Sequence, residues 1–539
     1  MMRDRAADVE RLKSIHAVAV GGDFPAAARL ATSALAEGLE HPFLLNLVAT
    51  VHEQEGRLDE ALVLLERAVA LAPEDLGARN ALGLCLRRLE RPEEALAHLR
   101  WVAQKAPEHA FAHASLGDIL QMLGALSEAD ACYAVALARD AQHPIALAGR
   151  AMVASLRGDM GAARRWGLQA LAVMPTLPDA VLAVATAELA DDAREPAVRR
   201  LRALLAAGQL MPLEKARVLG LLGDALDASL QPHLAYVAYQ ECNEILRAAH
   251  APRMGSGRSA SGYVRDLLDY FVQSDPVAWA ARTPATEAPA DHVFLIGFPR
   301  SGTTLLEVIL EGHPDVVTLE EKELFFDAAL HYMAQTTALD SLASASEEEL
   351  DRYRAAYWDA ARVAGVAPEG KVFVDKYPLN ILKLPLIARL FPNAKILLAR
   401  RDPRDVVLSC FRRRFRMSPP LYELLTLEGG ARYYDLVMTL EQRLLSFFKL
   451  PTHVVWHEHL LDDFAGEMQA ICTYLGIQWT PKMGAFAQRA KQRATATPST
   501  AQLAGGLSRK GLGHWRRYAD ELRPVLPVLA PWVKAYGYD

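Results

Sequence analysis

Small residues recur in this chain at a fixed interval. Ala49, Gly83, Gly117 and Ala151 follow one another at 34 positions, and so do Ala61, Ala95, Ala129 and Ala163. Pro73, Pro107 and Pro175 keep the same register, with Ala141 filling the missing slot. A single Ala-rich bundle needs no such period, whereas stacked helix pairs do. Small side chains let two helices approach closely, and each pair covers its apolar face with the next. The spacing predicts helix pairs over 42–75, 76–109, 110–143 and 144–177, with weaker ones over 8–41 and 178–211. A shifted copy runs through Leu222, Gly223, Ala235 and Tyr239.

This pattern resembles the tetratricopeptide repeat (TPR). The resemblance implies an α-solenoid over 8–250. Such a solenoid presents a concave surface to a peptide, to a partner protein or to a second copy of the chain, which would make a homo-oligomer. No catalytic constellation is visible in it.

The helical pattern breaks at APRMGSGRSASG, and the stretch 251–290 reads as a linker around one amphipathic helix, YVRDLLDYFVQ. From 291 to 539 the text changes. Short apolar runs of strand length (HVFLIGF, KVFVD, AKILLAR, HVVWHE) alternate with helix-forming stretches. That alternation predicts a parallel sheet with helices on both faces. The fold class is therefore α plus α/β, a helical repeat domain followed by a P-loop-like domain. In such sheets ligands bind beyond the carboxyl ends of the strands. The informative residues should follow those runs.

After the first run stand Pro299, Arg300, Ser301, Gly302, Thr303 and Thr304. Gly302 permits close backbone approach, and the amides and hydroxyls at a helix start make an anion cradle. The loop lacks the GxxxxGK[ST] pattern and its lysine, which argues against magnesium-nucleotide hydrolysis. After the third run, Arg401 ends a strand, Asp402 suits a helix N-cap and Pro403 the first helical turn. Ser409 and Arg413 lie four apart on one helix face. Two guanidiniums and a hydroxyl can converge there on one phosphate.

PRSGTTLL resembles the 5′-phosphosulfate loop of sulfotransferases, whose donor is 3′-phosphoadenosine 5′-phosphosulfate (PAPS). ARRDPRDVVLSCFRRRF resembles their 3′-phosphate motif, and the chain as a whole looks like a TPR-type sulfotransferase related to the protein-tyrosine sulfotransferases. The resemblance implies donor contacts from residues 299–304, Arg401, Ser409 and Arg413. It implies Glu321, 21 residues after Arg300, as the base for the acceptor hydroxyl. It also implies Lys376 as the group that stabilises the leaving oxygen. An ion pair with Asp375 is the alternative role for Lys376. His457 occupies the place of a donor-contacting tyrosine, and Ser499 matches a donor-contacting serine. His514 stands where the tyrosine-sulfating relatives have a lysine, with Arg509 and Lys510 nearby as replacements. Arg400, Arg404, Arg412, Arg414 and Arg416 carry no such match and read as a solvated basic rim. The implied acceptor is a hydroxyl on a peptide, a sugar or a small molecule, and no metal is required.

Composition narrows the alternatives. The 539 residues carry 59 basic and 65 acidic side chains, a formal charge of −6. With no aromatic platform beside the basic run, nucleic-acid binding is a poor reading. The five cysteines are widely spaced with no CxxC, which suits a reducing compartment rather than a disulfide framework. No apolar leader or run of membrane-spanning length is seen, so the expected location is cytoplasmic. Two rivals keep a footing. One is a P-loop-like kinase, which needs the outer-phosphate lysine that is missing. The other is a repeat scaffold with a non-catalytic nucleotide-binding half.

Overall fold

A computed structural model describes residues 5–208, 210–254, 257–279, 288–492 and 506–538. The chain divides into two compact units, Met1–Met211 and Pro212–Asp539.

The first unit is a run of antiparallel helix pairs in the expected register: Arg5–Val20 with Phe24–Ala36, Pro42–Gln54 with Leu58–Leu71, Leu76–Arg88 with Pro92–Lys105, Ala110–Met122 with Leu126–Arg139, Pro144–Leu156 with Met160–Val173, and Pro178–Ala190 with Arg194–Ala206. Ala61, Ala95, Ala129 and Ala163 are fully buried at the crossings. The glycines mark the closest approaches. A Cβ on Gly117 would lie 2.6 Å from the Tyr133 ring and one on Gly149 2.2 Å from it, so this fully buried ring is clamped between two helices. Its hydroxyl donates to Asp118 at 2.9 Å.

The second unit begins with one more helix pair, Pro212–Ala228 and Pro232–Met254. The compact division thus falls before this pair, whereas the change in sequence character falls near residue 260. The reason is contact: Asn243 Nδ2 donates to the Phe411 carbonyl at 2.9 Å, and Tyr236 stacks on the Phe411 ring.

Its sheet has five strands, β1 (Asp291–Gly297), β2 (Val316–Glu320), β3 (Val372–Lys376), β4 (Lys395–Arg400) and β5 (Thr452–Trp456). They are all parallel, in the order β2-β3-β1-β4-β5. The four apolar runs supply β1, β3, β4 and β5; β2 was not legible as a separate strand. Both faces of β1 are covered. Val293 and Leu295 pack against the helices Thr303–Leu310 and Phe464–Leu475. His292 and Phe294 face an aromatic cluster of Phe325, Tyr357 and Phe391. A strand buried on both sides has no polar face to show, hence the unbroken apolar text. From β1 the chain turns toward β2, and from β4 toward β5. The carboxyl ends of β1 and β4 therefore flank the topological switch point, where ligands of such sheets bind.

Candidate active site

A cavity of about 1030 Å³ opens over the carboxyl ends of the strands, large for a single small-molecule site. Pro299, Arg300, Gly302, Thr303 and Thr304 line it; Ser301 is buried and is not on the wall. Gly302 has φ 103°, a conformation open to glycine, and a Cβ there would lie 2.8 Å from His457 Nδ1. Glycine is thus demanded twice at this position. The Cys410 thiol donates to the Pro299 carbonyl and fixes the loop from behind. Burial pushes that thiol up to about 12, so its part is structural.

Arg300 also has a positive φ, 75°. Other residues of that kind, Glu90, Asp192, Leu230 and Lys449, follow helix ends, whereas Arg300 and Glu321 sit just past strands on the cavity wall. Strained backbone that survives at such a place is a sign of use. Arg300 Nε donates to Ser409 Oγ at 3.0 Å, joining the loop after β1 to the helix Pro403–Phe411 after β4. Asp402 caps that helix by accepting from the Arg404 amide at 2.9 Å, with Pro403 in its first turn, as the sequence predicts.

Arg401, Ser409, Arg412 and Arg413 line the same wall. Burial and the nearby Arg413, Arg401 and Arg412 together pull the Arg300 guanidinium from 12.5 down to about 9. An arginine keeps its proton under ordinary conditions, so like charge is crowded on this wall, with Arg412 held by Asp227 at 2.8 Å and Arg413 near Asp224 at 3.9 Å. Arg401 Nε and His457 Nδ1 are both buried with no hydrogen-bond partner among the described residues. Burial next to Arg401 and Arg300 pushes the His457 imidazole down to about 3, leaving it neutral. Orphaned polar atoms, crowded guanidiniums and a glycine-opened loop suit a phosphate-bearing ligand at this end.

The closing segment is tied down by Asp405, which accepts from Gly513 N at 2.7 Å and Trp515 N at 2.8 Å. Arg401 donates to the Gly511 carbonyl. Lys510 is on the cavity wall, whereas Arg509 is paired with Asp462. His514 reaches the cavity but also meets Asp227, at 3.0 Å. Ser499 lies outside the described residues.

At the other end stands Glu321, φ 47°, its amide donating to the Lys376 carbonyl at 2.8 Å. Its carboxylate lines the cavity and pairs with Lys376 Nζ at 2.7 Å. Lys376 is 0 % exposed and is not among the lining residues. Its ammonium also meets Glu320 at 3.1 Å and Glu307 at 3.3 Å. Burial draws Lys376 down, but the three carboxylates outweigh it and hold the ammonium above its usual range. Asp375 is not its partner. Asp375 accepts instead from the Tyr357 hydroxyl at 2.7 Å, and burial pushes it up to about 7.

The basic run is not a solvated rim. Arg400 is paired with the fully buried Glu441 at 2.8 Å and lies over the Tyr536 ring. Arg404 pairs with Asp402 at 2.8 Å and covers Trp515. Arg412 is held by Asp227 at 2.8 Å and by the Tyr239 hydroxyl at 3.3 Å, both on the helix pair 212–254. Arg414 packs on Gly220 of the same pair. Arg416 is exposed. Sequence reasoning missed the anchoring of Arg412, because Asp227, which provides it, lies 185 positions upstream. It also missed Glu307, whose one signal is a lone charge in the otherwise apolar helix TTLLEVIL.

Parallel sheet, glycine-opened loop and arginines at the switch point together define an α/β phosphate-loop domain. Residues 292–481 match the sulfotransferase family and residues 40–106 the tetratricopeptide repeat. The sulfotransferase-family match lies within the second unit and the tetratricopeptide-repeat match within the first. The chain is 35% identical over 127 residues to protein-tyrosine sulfotransferase 1 of Mus musculus, covering 23% of this chain and 34% of that protein. It is 24% identical over 264 residues to protein-tyrosine sulfotransferase 2 of Gallus gallus, covering 46% of this chain and 69% of that one. Among solved structures, a tetratricopeptide repeat protein from Parabacteroides merdae aligns with a TM-score of 0.36 at 17% identity, over 44% of this chain and 93% of that one. Among the described residues no grouping of three or more His, Cys, Asp or Glu could hold a metal ion, and no helix is long and apolar enough to cross a membrane.

Proposed function

We propose that the chain transfers a sulfuryl group from PAPS to a hydroxyl acceptor. The observation that carries this reading is the Arg300–Ser409 bridge at the switch point, set beside Arg401, Arg412 and Arg413 on the cavity wall. The loop 299–304 would hold the 5′-phosphosulfate. Arg401, Ser409 and Arg413 would hold the 3′-phosphate, and His457, neutral and close to Gly302, would offer its free ring nitrogen as a hydrogen-bond partner.

Glu321 accepts the acceptor's proton. The acceptor oxygen then bonds to sulfur as the bond from sulfur to the 5′-phosphate oxygen breaks, and the guanidiniums take up the charge left on that oxygen. Lys376 Nζ, 2.7 Å from its carboxylate, holds Glu321 in place. To touch the leaving oxygen itself, it would have to exchange one of its three carboxylates for the donor. The repeat unit supplies docking for a protein or peptide, and the location proposed is cytoplasmic. A tyrosine, the acceptor in the relatives' names, is one phenol among the hydroxyl acceptors this chemistry allows.

Titration of the full chain with adenosine 3′,5′-bisphosphate should give saturable binding. Labelled-sulfate transfer by Glu321→Gln should fall at least about a hundredfold with that binding kept, as expected for a lost general base. Undiminished transfer removes Glu321 from the role, and absent binding removes the donor.

A further inference from the structure

Four buried polar side chains form one hydrogen-bonded chain behind the cavity wall. His292 Nε2 on β1 lies 2.8 Å from the Tyr357 hydroxyl. That hydroxyl donates to Asp375 Oδ2 at 2.7 Å, and Asn380 Nδ2 donates to the same oxygen at 3.4 Å. Because the Tyr357 hydrogen points to the carboxylate, the proton between Tyr357 and His292 belongs to Nε2. The transfer step leaves this chain unused.

Asp375 is the penultimate residue of β3, and the last, Lys376, holds Glu321 twice. The Lys376 carbonyl accepts from the Glu321 amide at 2.8 Å, and its ammonium meets the Glu321 carboxylate at 2.7 Å. Asn380 belongs to the turn Pro378–Lys383, of which Pro378, Leu379, Leu382 and Lys383 line the cavity. One carboxylate oxygen thus ties the end of β3 to the helix Glu347–Val363 on one side and to a cavity-lining turn on the other.

This grip needs the ionised acid. Both donors end on Oδ2, whereas Oδ1 is buried with no partner among the described residues. A proton on Oδ2 would compete with the two donors, and one on Oδ1 would find no acceptor. Hydrogen bonds to the neutral acid are also the weaker ones. We propose that Asp375 is a positioning residue: its charged carboxylate latches the turn 378–383 and the end of β3, and protonation loosens both. The bearing on Glu321 as base rests on the transferase reading above; the latch itself does not. Burial pushes Asp375 up to about 7 against Tyr357, Lys383 and Lys376, with Glu323 adding to the rise, while burial keeps His292 neutral.

Hydrogen exchange of the full chain, corrected for intrinsic rates, tests the latch in peptides covering 319–323 and 377–383. Between about pH 6 and 8, protection in both should rise at least about threefold, and the helix Phe464–Leu475 should show no such step. Asp375→Asn should abolish the step. Tyr357→Phe removes a donor that favours the ion and should move the step to higher pH. Asn380→Ala cuts only the bond to the turn and should remove the step from 377–383. Wild-type protection that is flat with pH, or that changes equally in the reference helix, overturns the proposal. So does a step that survives Asp375→Asn or stays in place in Tyr357→Phe, or one kept over 377–383 in Asn380→Ala. Unchanged affinity for adenosine 3′,5′-bisphosphate reports that each variant is folded. Failure of the wild type to bind it removes the transferase reading and leaves the exchange result standing.

Discussion

Replacing Arg413 by Gln should move stability and ligand affinity in different directions. Arg413 is the foremost of the charges crowding Arg300, and its own ion pair, with Asp224, is long at 3.9 Å. Holding the Arg300 guanidinium from 12.5 down to about 9 corresponds to about 5 kcal/mol of disfavoured charge, at about 1.4 kcal/mol per tenfold. Burial is the larger cause, so relief of the Arg413 repulsion is the smaller share. Losing the pair with Asp224 costs at most about 1 kcal/mol. The free protein should therefore unfold in urea within about 1 kcal/mol of wild type, on the stable side. Binding of adenosine 3′,5′-bisphosphate should fall about 10- to 100-fold, the loss expected for hydrogen bonds to a charged group at about 1.5–3 kcal/mol. Paired urea and calorimetric titrations read both quantities. A free protein weakened by more than about 2 kcal/mol with ligand affinity intact would refute the reasoning and make Arg413 a structural residue.

Four further outcomes are expected. Gly149→Ala drives a methyl to within 2.2 Å of the Tyr133 ring and should cost about 1–3 kcal/mol by chemical denaturation. Gly161→Ala, whose nearest atom is the Asp159 carboxylate at 3.6 Å, should be neutral or stabilising. His457 is held from 6.5 down to about 3, so above pH 6.5 it is neutral folded and unfolded and has no effect. Below that the unfolded chain takes the proton first, and stability drains away toward pH 3. His457→Gln should flatten the fall in melting temperature between pH 6 and 4. Asp227 is held at about 2 because His514 and Arg412 together overcome its burial, so its contribution is present above about pH 4 and lost as pH falls toward 2. Asp227→Asn should destabilise the second unit by about 3–5 kcal/mol at neutral pH, as a broken buried pair does, and remove that acid-sensitive step. Fluorescence-detected unfolding at several pH values distinguishes these cases.

The repeat was legible because its period is imposed by local packing. Ala61, Ala95, Ala129 and Ala163 are small for one geometric reason that recurs. The loops after β1 and β4 were legible for a similar cause: glycine, capping aspartate and proline each answer a local backbone demand. Long-range pairing left no such trace. Nothing near Arg412 in the sequence announces Asp227, and nothing in KVFVDK says that Lys376 faces three glutamates while its neighbour Asp375 turns to Tyr357. Adjacent strand residues point to opposite faces, so the shorter sequence distance to Asp375 misled. β2 was hidden by its mixed text, VVTLE, with a half-exposed pattern that carries little of the apolar signal seen in β1.

The helices Pro212–Ala228 and Pro232–Met254 read as one more repeat, yet they brace Arg412 and Phe411 beside the anion end of the cavity. Modularity in this chain is therefore offset by one pair from where its text suggests. A recombinant that grafts the α/β half onto another helical array would have to carry these two helices along as its bracket. Cutting at the visible seam would leave the Arg412 guanidinium without its counter-charge, and the graft would fail inside the α/β half rather than at the suture.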